Sequence, residues 1–220
     1  MSQPALISGV AAPLPIANLD TDQIMPKQFL RRIDKAGLAD GLLYDLRFDG
    51  QGQPRPGFVL NQDAWRGAAV LVGGPNFGCG SSREHAVWGL QQYGFQAVIA
   101  SSFGEIFYSN AMNNRLLLVM LPEEDIALLL RDAATPGANG IAIDLATMTV
   151  QSRSHRAAFT LSERHRHMFL EGLDMIGASL LHRDAILAFA AAHWRQKPWL
   201  QDVAARTRAR LGNTERATPA

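Results

Sequence analysis

The sequence predicts an α/β fold: a mixed sheet, or a partly closed barrel, with flanking helices. Two observations carry that prediction. Between residues 67 and 133 short apolar runs alternate with helical runs, the order expected of a parallel α/β layer. Beyond residue 140 the order changes to short β-type runs in succession, so further strands extend the parallel layer. A third observation sets the scale. The chain has 220 residues, 47% hydrophobic and 19% charged, the balance of one ordinary domain or of one domain with a C-terminal helical extension.

In chain order, "LISGVAAPLPIANLDTDQIMP" reads as a short strand and a loop, with Asp20, Thr21 and Asp22 clustered near its end and Pro26 closing it. "KQFLRRIDKAG" has helical character, with Gly37 as its stop. Residues 49–57, "DGQGQPRPG", are polar and turn-rich and form an exposed loop. "GAAVLVGG" is a buried strand between glycines, followed by a helix from about Ser82. "QAVIASS" and "RLLLVMLP" are two more strands, each followed by a helix, "EIFYSNAMNN" and "EEDIALLLRDA". "GIAIDLATMTVQS" contains two short strands and "AAFTLS" another, and residues 182–200 form a helix ended by Pro198. The last twenty residues carry Arg206, Arg208, Arg210 and Arg216, either a solvated helical end or a basic docking tail.

Composition removes several function classes. A net charge of +1 gives no field directed at nucleic acid. The single cysteine, Cys79, makes no internal disulfide and cannot hold an iron–sulfur cluster, which takes about three or four thiolates. His85 has no histidine three or four residues on, and His165 and His167, two apart, splay from a helix, so no metal site is expected. The first twenty residues lack a basic signal-peptide start, and Pro4, Pro13 and Pro15 break their apolar run, so they make neither a leader nor a membrane helix. The chain reads as cytoplasmic.

One stretch concentrates chemistry: "NFGCGSSREHAVWGL", a glycine-rich turn running into an amphipathic helix. It is not a P-loop, because Cys79 stands where that motif has its lysine. It is not a dinucleotide fingerprint, because Arg83 replaces the third glycine, nor a nucleophile elbow, because Glu84 replaces the last one. Ser81 and Glu84 match a capping box, with Ser81 at the N-cap. A cap explains the serine, the glutamate and the glycines, but not Ser82 and Arg83 together. A cation in the first helical turn opposes the helix dipole by a few tenths of a kcal/mol. Two hydroxyls, free backbone N–H groups and a guanidinium do make a carboxylate receptor.

The same stretch, extended through "QQYGFQAVIASSFGEIFYSN", closely resembles the core motif of the 3-isopropylmalate dehydratase small subunits, in the aconitase superfamily. "NLDTDQIMPKQFLRR", "GFVLNQ" and "FLEGLDMIGASLLHRDAI" resemble the family's other motifs in the same order, covering roughly residues 5–195. The resemblance implies a swivelling β/β/α domain of the aconitase C-terminal type over residues 1–200, with 201–220 as a partly disordered extension. It implies a hydro-lyase of leucine biosynthesis, active only with a large subunit. That enzyme interconverts 2-isopropylmalate and 3-isopropylmalate through dehydration and rehydration. The partner subunit would carry a [4Fe-4S] cluster whose iron takes the departing hydroxyl, and this chain would bind no cofactor. By the same resemblance Ser81 is the catalytic base, Ser82 and Arg83 bind a substrate carboxylate, and the loop Phe29–Arg32 selects the substrate. Arg31 and Lys27 are then candidate substrate-binding residues, Lys27 otherwise being a helix-start lysine. The alternative is a related hydro-lyase acting on another 2-hydroxy diacid, of the citramalate, dimethylmalate or homoaconitate type.

Overall fold

The computed structural model describes residues 5–30 and 36–215, which fall into two compact units meeting at Asp174 and Met175. The first unit opens with strand β1 (Leu6–Leu14) and the one-turn helix α1 (Thr21–Ile24). Two further single turns follow, α2 (Leu38–Gly41) and α3 (Tyr44–Arg47). Then the predicted alternation appears: β2 (Val70–Gly73), α4 (Glu84–Tyr93), β3 (Ala97–Ala100), α5 (Glu105–Asn113), β4 (Leu117–Met120) and α6 (Glu123–Ala133). Strands β5 (Gly140–Asp144), β6 (Thr149–Gln151) and β7 (Arg156–Ala158) complete the sheet, and α7 (Glu163–Glu171) ends the unit.

The seven strands lie in the order β4-β3-β2-β1-β5-β6-β7. β1 to β4 pair parallel, while β1–β5, β5–β6 and β6–β7 pair antiparallel, so the sheet is mixed, as the change of pattern at residue 140 predicts. β1 is the seam between the two halves. It tolerates Pro13 because β5 pairs only with Leu6–Val10, so the missing N–H falls beyond the end of the antiparallel ladder. β2 and β3 are buried along their whole length, which is why they read as unbroken apolar runs rather than alternating ones. Leu71, Val98 and Ile99 from these strands and Leu90 from α4 share one core. The first turn of α6 carries Glu123, Glu124 and Asp125 and its last turn Arg131, charges that complement the helix dipole.

Three local expectations are corrected. The described part of "KQFLRRIDKAG" is a single 3-10 turn, Lys27–Phe29, and residues 31–35 lie outside the described residues. Gly37 ends no helix: it sits at φ +72° and opens α2. β7 comes earlier than "AAFTLS" suggests. It pairs only with β6 and stops where β6 stops, and Ser162 instead caps α7 by accepting from the His165 N–H. The loop 49–57 is exposed, as its composition requires.

The second unit consists of helices α8 (Met175–Leu180), α9 (Arg183–Gln196) and α10 (Val203–Glu215), with a 3-10 turn at Pro198–Leu200. α9 ends ahead of Pro198, as proline dictates. None of its described side chains is buried. Phe189 stacks on His193 with ring centroids 5.6 Å apart, and the Arg206 guanidinium donates to the Trp199 carbonyl.

Candidate active site

Three loops leave the carboxyl ends of the parallel strands β1, β2 and β3 on the same side of the sheet, where open α/β sheets place their ligands. The middle loop, residues 74–83, carries the serines. It is strapped on both sides. On one side Asn76 N–H donates to Ser102 Oγ (2.8 Å), Phe77 N–H to the Ser102 carbonyl (3.0 Å) and Gly104 N–H to the Phe77 carbonyl (2.9 Å). On the other, Gly78 N–H donates to the Leu19 carbonyl (2.7 Å) and Thr21 N–H to the Cys79 carbonyl (2.9 Å). Gly78 is required where it stands. Its φ is +74°, and a Cβ there would lie 2.3 Å from the Phe107 ring. Gly78 therefore serves close packing of the loop against helix α5, while Gly80, at φ +92°, packs against Asp20 and Thr21.

The N-terminal motif does more than end a strand. Asp20 caps α1 in a reciprocal box with Gln23, accepting the Gln23 N–H at 2.7 Å while the Gln23 side chain accepts the Asp20 N–H at 3.1 Å. The rigid turn so formed grips the serine loop twice. Buried Thr21 donates its hydroxyl to the Ser81 carbonyl (2.7 Å), and Asp22 forms an ion pair with Arg83 through Oδ1 and Nη1. The Arg83 side chain is 19% exposed and that of Asp22 39%. Their two facing atoms are shut off from solvent and, among the described residues, have no further hydrogen-bond partner.

The structure overturns the capping box expected at Ser81. Helix α4 begins at Glu84, Arg83 occupies the N-cap, and its side chain makes no capping hydrogen bond. Thr21 pins the Ser81 carbonyl away from the helix, and Glu84 is drawn off by Asn114, whose side-chain amide donates to Glu84 Oε1 and accepts from Trp88 Nε1. The N-terminal N–H groups of α4 thus receive no cap from their own loop. Ser81 and Ser82 are both exposed, and neither hydroxyl has a partner among the described residues. Ser81, Cys79, Gly104, Glu105, Ile106 and Phe107 line a concavity of about 210 Å³ in which Ile106, 49% exposed, offers an apolar wall.

Ser81, Ser82 and Arg83 therefore stand together, as adjacent residues on one strapped loop. Lys27 is exposed on the turn Lys27–Phe29, and its ammonium has no partner among the described residues. Arg31 lies outside the described residues. Sequence reasoning gives no role to Thr21, Asp22 or Asn114. The "DTD" cluster is the available signal for the first two, but no periodicity connects residue 22 with residue 83.

Sheet and strapped serine loop define a domain of the aconitase C-terminal class, and residues 3–124 match the family model of the aconitase C-terminal domain. The chain is 68% identical over 205 residues to a 3-isopropylmalate dehydratase small subunit of Chromobacterium violaceum, covering 93% of this chain and 97% of the relative. A counterpart from Phenylobacterium zucineum is 48% identical, with 87% of this chain and 94% of the relative covered. The crystal structure of a 3-isopropylmalate dehydratase from Methanocaldococcus jannaschii superposes with a TM-score of 0.60 at 27% identity, over 84% of this chain and 99% of that one. The chain belongs to the family of 3-isopropylmalate dehydratase small subunits.

Proposed function

We propose that this chain is the small subunit of a two-subunit hydro-lyase that interconverts 2-isopropylmalate and 3-isopropylmalate through 2-isopropylmaleate in cytoplasmic leucine biosynthesis. Identity of 68% to a small subunit along nearly the whole chain favours this substrate over another 2-hydroxy diacid. No described helix is long and apolar enough to cross a membrane.

The [4Fe-4S] cluster implied by the superfamily does not fit this chain's residues. Cys79 is the only thiol, and the described residues contain no group of three potential metal ligands. The cluster is assigned to the large subunit, while this chain supplies the base and the carboxylate receptor. Ser81 acts as the base: its oxygen takes the proton from the carbon next to the one bearing the hydroxyl. The C–H electron pair becomes the double bond, and the C–O bond breaks with its electron pair leaving on the oxygen as hydroxide. Rehydration with the opposite regiochemistry returns the proton from Ser81. A serine oxygen is a base only where its anion is stabilised, and the N–H groups at the start of α4 provide stabilisation of the right sign. Ser82 and the edge of Arg83 turned away from Asp22 bind a substrate carboxylate. Ile106, which lines the same concavity as Ser81, is an apolar surface suited to the isopropyl group.

The observation that carries this reading is the pair of exposed hydroxyls, without partners among the described residues, beside the start of α4 on a loop strapped through the Ser81 carbonyl. Co-expression with the large subunit and an anaerobic assay on a panel of 2-hydroxy diacids tests it. Preference for a diacid other than isopropylmalate, or full activity without the small subunit, would overturn it.

A further inference from the structure

We propose that Asp22 is a positioning residue for Arg83, fixing the direction of the guanidinium and cancelling its charge; this rests on the functional reading above. Arg83 stands in an unfavourable place for a cation. It occupies the N-cap of α4, where the helix dipole repels positive charge, and its side chain is mostly withdrawn from water. A partner is needed, and Asp22 supplies it through a single contact, Oδ1 to Nη1. Guanidinium has five N–H donors on a planar fork, so one contact orients the plane and leaves the opposite edge for a second carboxylate.

The carboxylate that does this is itself held. Asp22 lies in α1, whose start is locked by the Asp20–Gln23 box, and the adjacent Thr21 is bonded to the Cys79 and Ser81 carbonyls. One turn therefore sets both the height of the Ser81 backbone and the plane of Arg83. A charge cancelled in this way recognises a dicarboxylate by the direction of its donors more than by net attraction. Removing Asp22 should loosen the geometry while strengthening indiscriminate anion binding, and a residue that served stability alone would do neither.

The test uses the complex with the large subunit, comparing wild type with Asp22→Asn, Asp22→Glu, Arg83→Lys and the double variant Asp22→Asn/Arg83→Lys. For Asp22→Asn, kcat should fall about a hundredfold, the loss typical of a misplaced binding group, with KM unchanged or lower. Asp22→Glu should recover part of the loss, and the double variant should be no worse than Arg83→Lys alone, because both changes act through one group. Calorimetric titration with succinate, which requires no turnover, should show several-fold tighter binding for Asp22→Asn than for wild type, an increase absent from the double variant. The Tm of Asp22→Asn should fall by only a few degrees, because asparagine keeps the Oδ1 acceptor facing Arg83. The proposal is overturned by a kcat within about threefold of wild type, by losses that multiply in the double variant, or by activity that falls in step with Tm. A wild-type complex inactive on isopropylmalate would refute the functional reading. The succinate titration then decides the role of Asp22 on its own, unchanged affinity counting against it.

Discussion

Ser81→Ala separates chemistry from architecture at one atom. If Ser81 capped helix α4, its loss would cost about 1 kcal/mol of stability. The structure gives it no such role: Arg83 holds the N-cap position, and the Ser81 hydroxyl is exposed and unpartnered among the described residues. What anchors the residue is its backbone, through the Thr21 hydroxyl at 2.7 Å, and alanine keeps that carbonyl. Removing an exposed, unbonded hydroxyl should therefore change stability by no more than about 0.5 kcal/mol. If Ser81 is the base, removing that oxygen should slow turnover by about a thousandfold, or about 4 kcal/mol in the barrier. The assay is two measurements on one preparation: denaturant unfolding of the small subunit, and anaerobic turnover of its complex with the large subunit. Ser81→Asp adds a control, since a carboxylate beside the substrate's own should abolish activity with folding near normal. Turnover of Ser81→Ala within tenfold of wild type would refute the assignment, and a stability loss above about 1 kcal/mol would show that the hydroxyl has a structural partner.

Thr21→Val keeps the shape of a buried side chain but removes its bond to the Ser81 carbonyl. It should cost about 1–2 kcal/mol in unfolding free energy and slow turnover at least tenfold, and unchanged turnover would show that Ser81 is held by other means. Gly78→Ala combines a left-handed φ of +74° with a Cβ 2.3 Å from the Phe107 ring, so it should destabilise by about 2–5 kcal/mol; a Tm within a degree or two of wild type would contradict that geometry. Asp132 accepts from Ser152 Oγ (2.6 Å), Ser154 N–H (2.8 Å) and Ser154 Oγ (2.8 Å), and these bonds, Ser152's first, hold its carboxyl below the usual carboxylate range. A depressed acid contributes stability that is complete above its unfolded pKa of about 3.9 and is lost as pH falls through the lower folded value. Unfolding free energy of Asp132→Asn should thus be lower than wild type near neutrality and converge on it below about pH 4, while a constant difference at all pH values would exclude the linkage.

The parallel half of the fold was legible because β2, β3 and β4 are short buried strands whose apolar runs are bounded by glycine, proline and helical periodicity. The antiparallel half was legible as strands but not in extent, since β7 takes its length from its partner β6. At the site, the residues with chemistry were visible as a local string, but the state of that string was not. Ser81 and Glu84 satisfy the capping pattern in sequence, and both are diverted by residues far away, Thr21 and Asn114. The ion pair between Asp22 and Arg83 spans the same kind of gap. Helix starts are decided by whichever partner wins each polar group, and here the winners are tertiary.

The seam strand has a consequence for biogenesis. β1 precedes the other six strands of the sheet in the chain, yet it lies in the interior of the sheet, with β2 on one edge and β5 on the other. Its residues up to Leu14 wait for Val70 to arrive before one edge is paired, and for Gly140 before the second is closed. Until then the nascent chain displays a nine-residue apolar ribbon with open edges, the kind of segment that pairs with the wrong neighbour. The serine loop, strapped to Leu19 and Thr21, inherits that delay: the seam strand that supports it stays open on one side until residues 140–144 have been made.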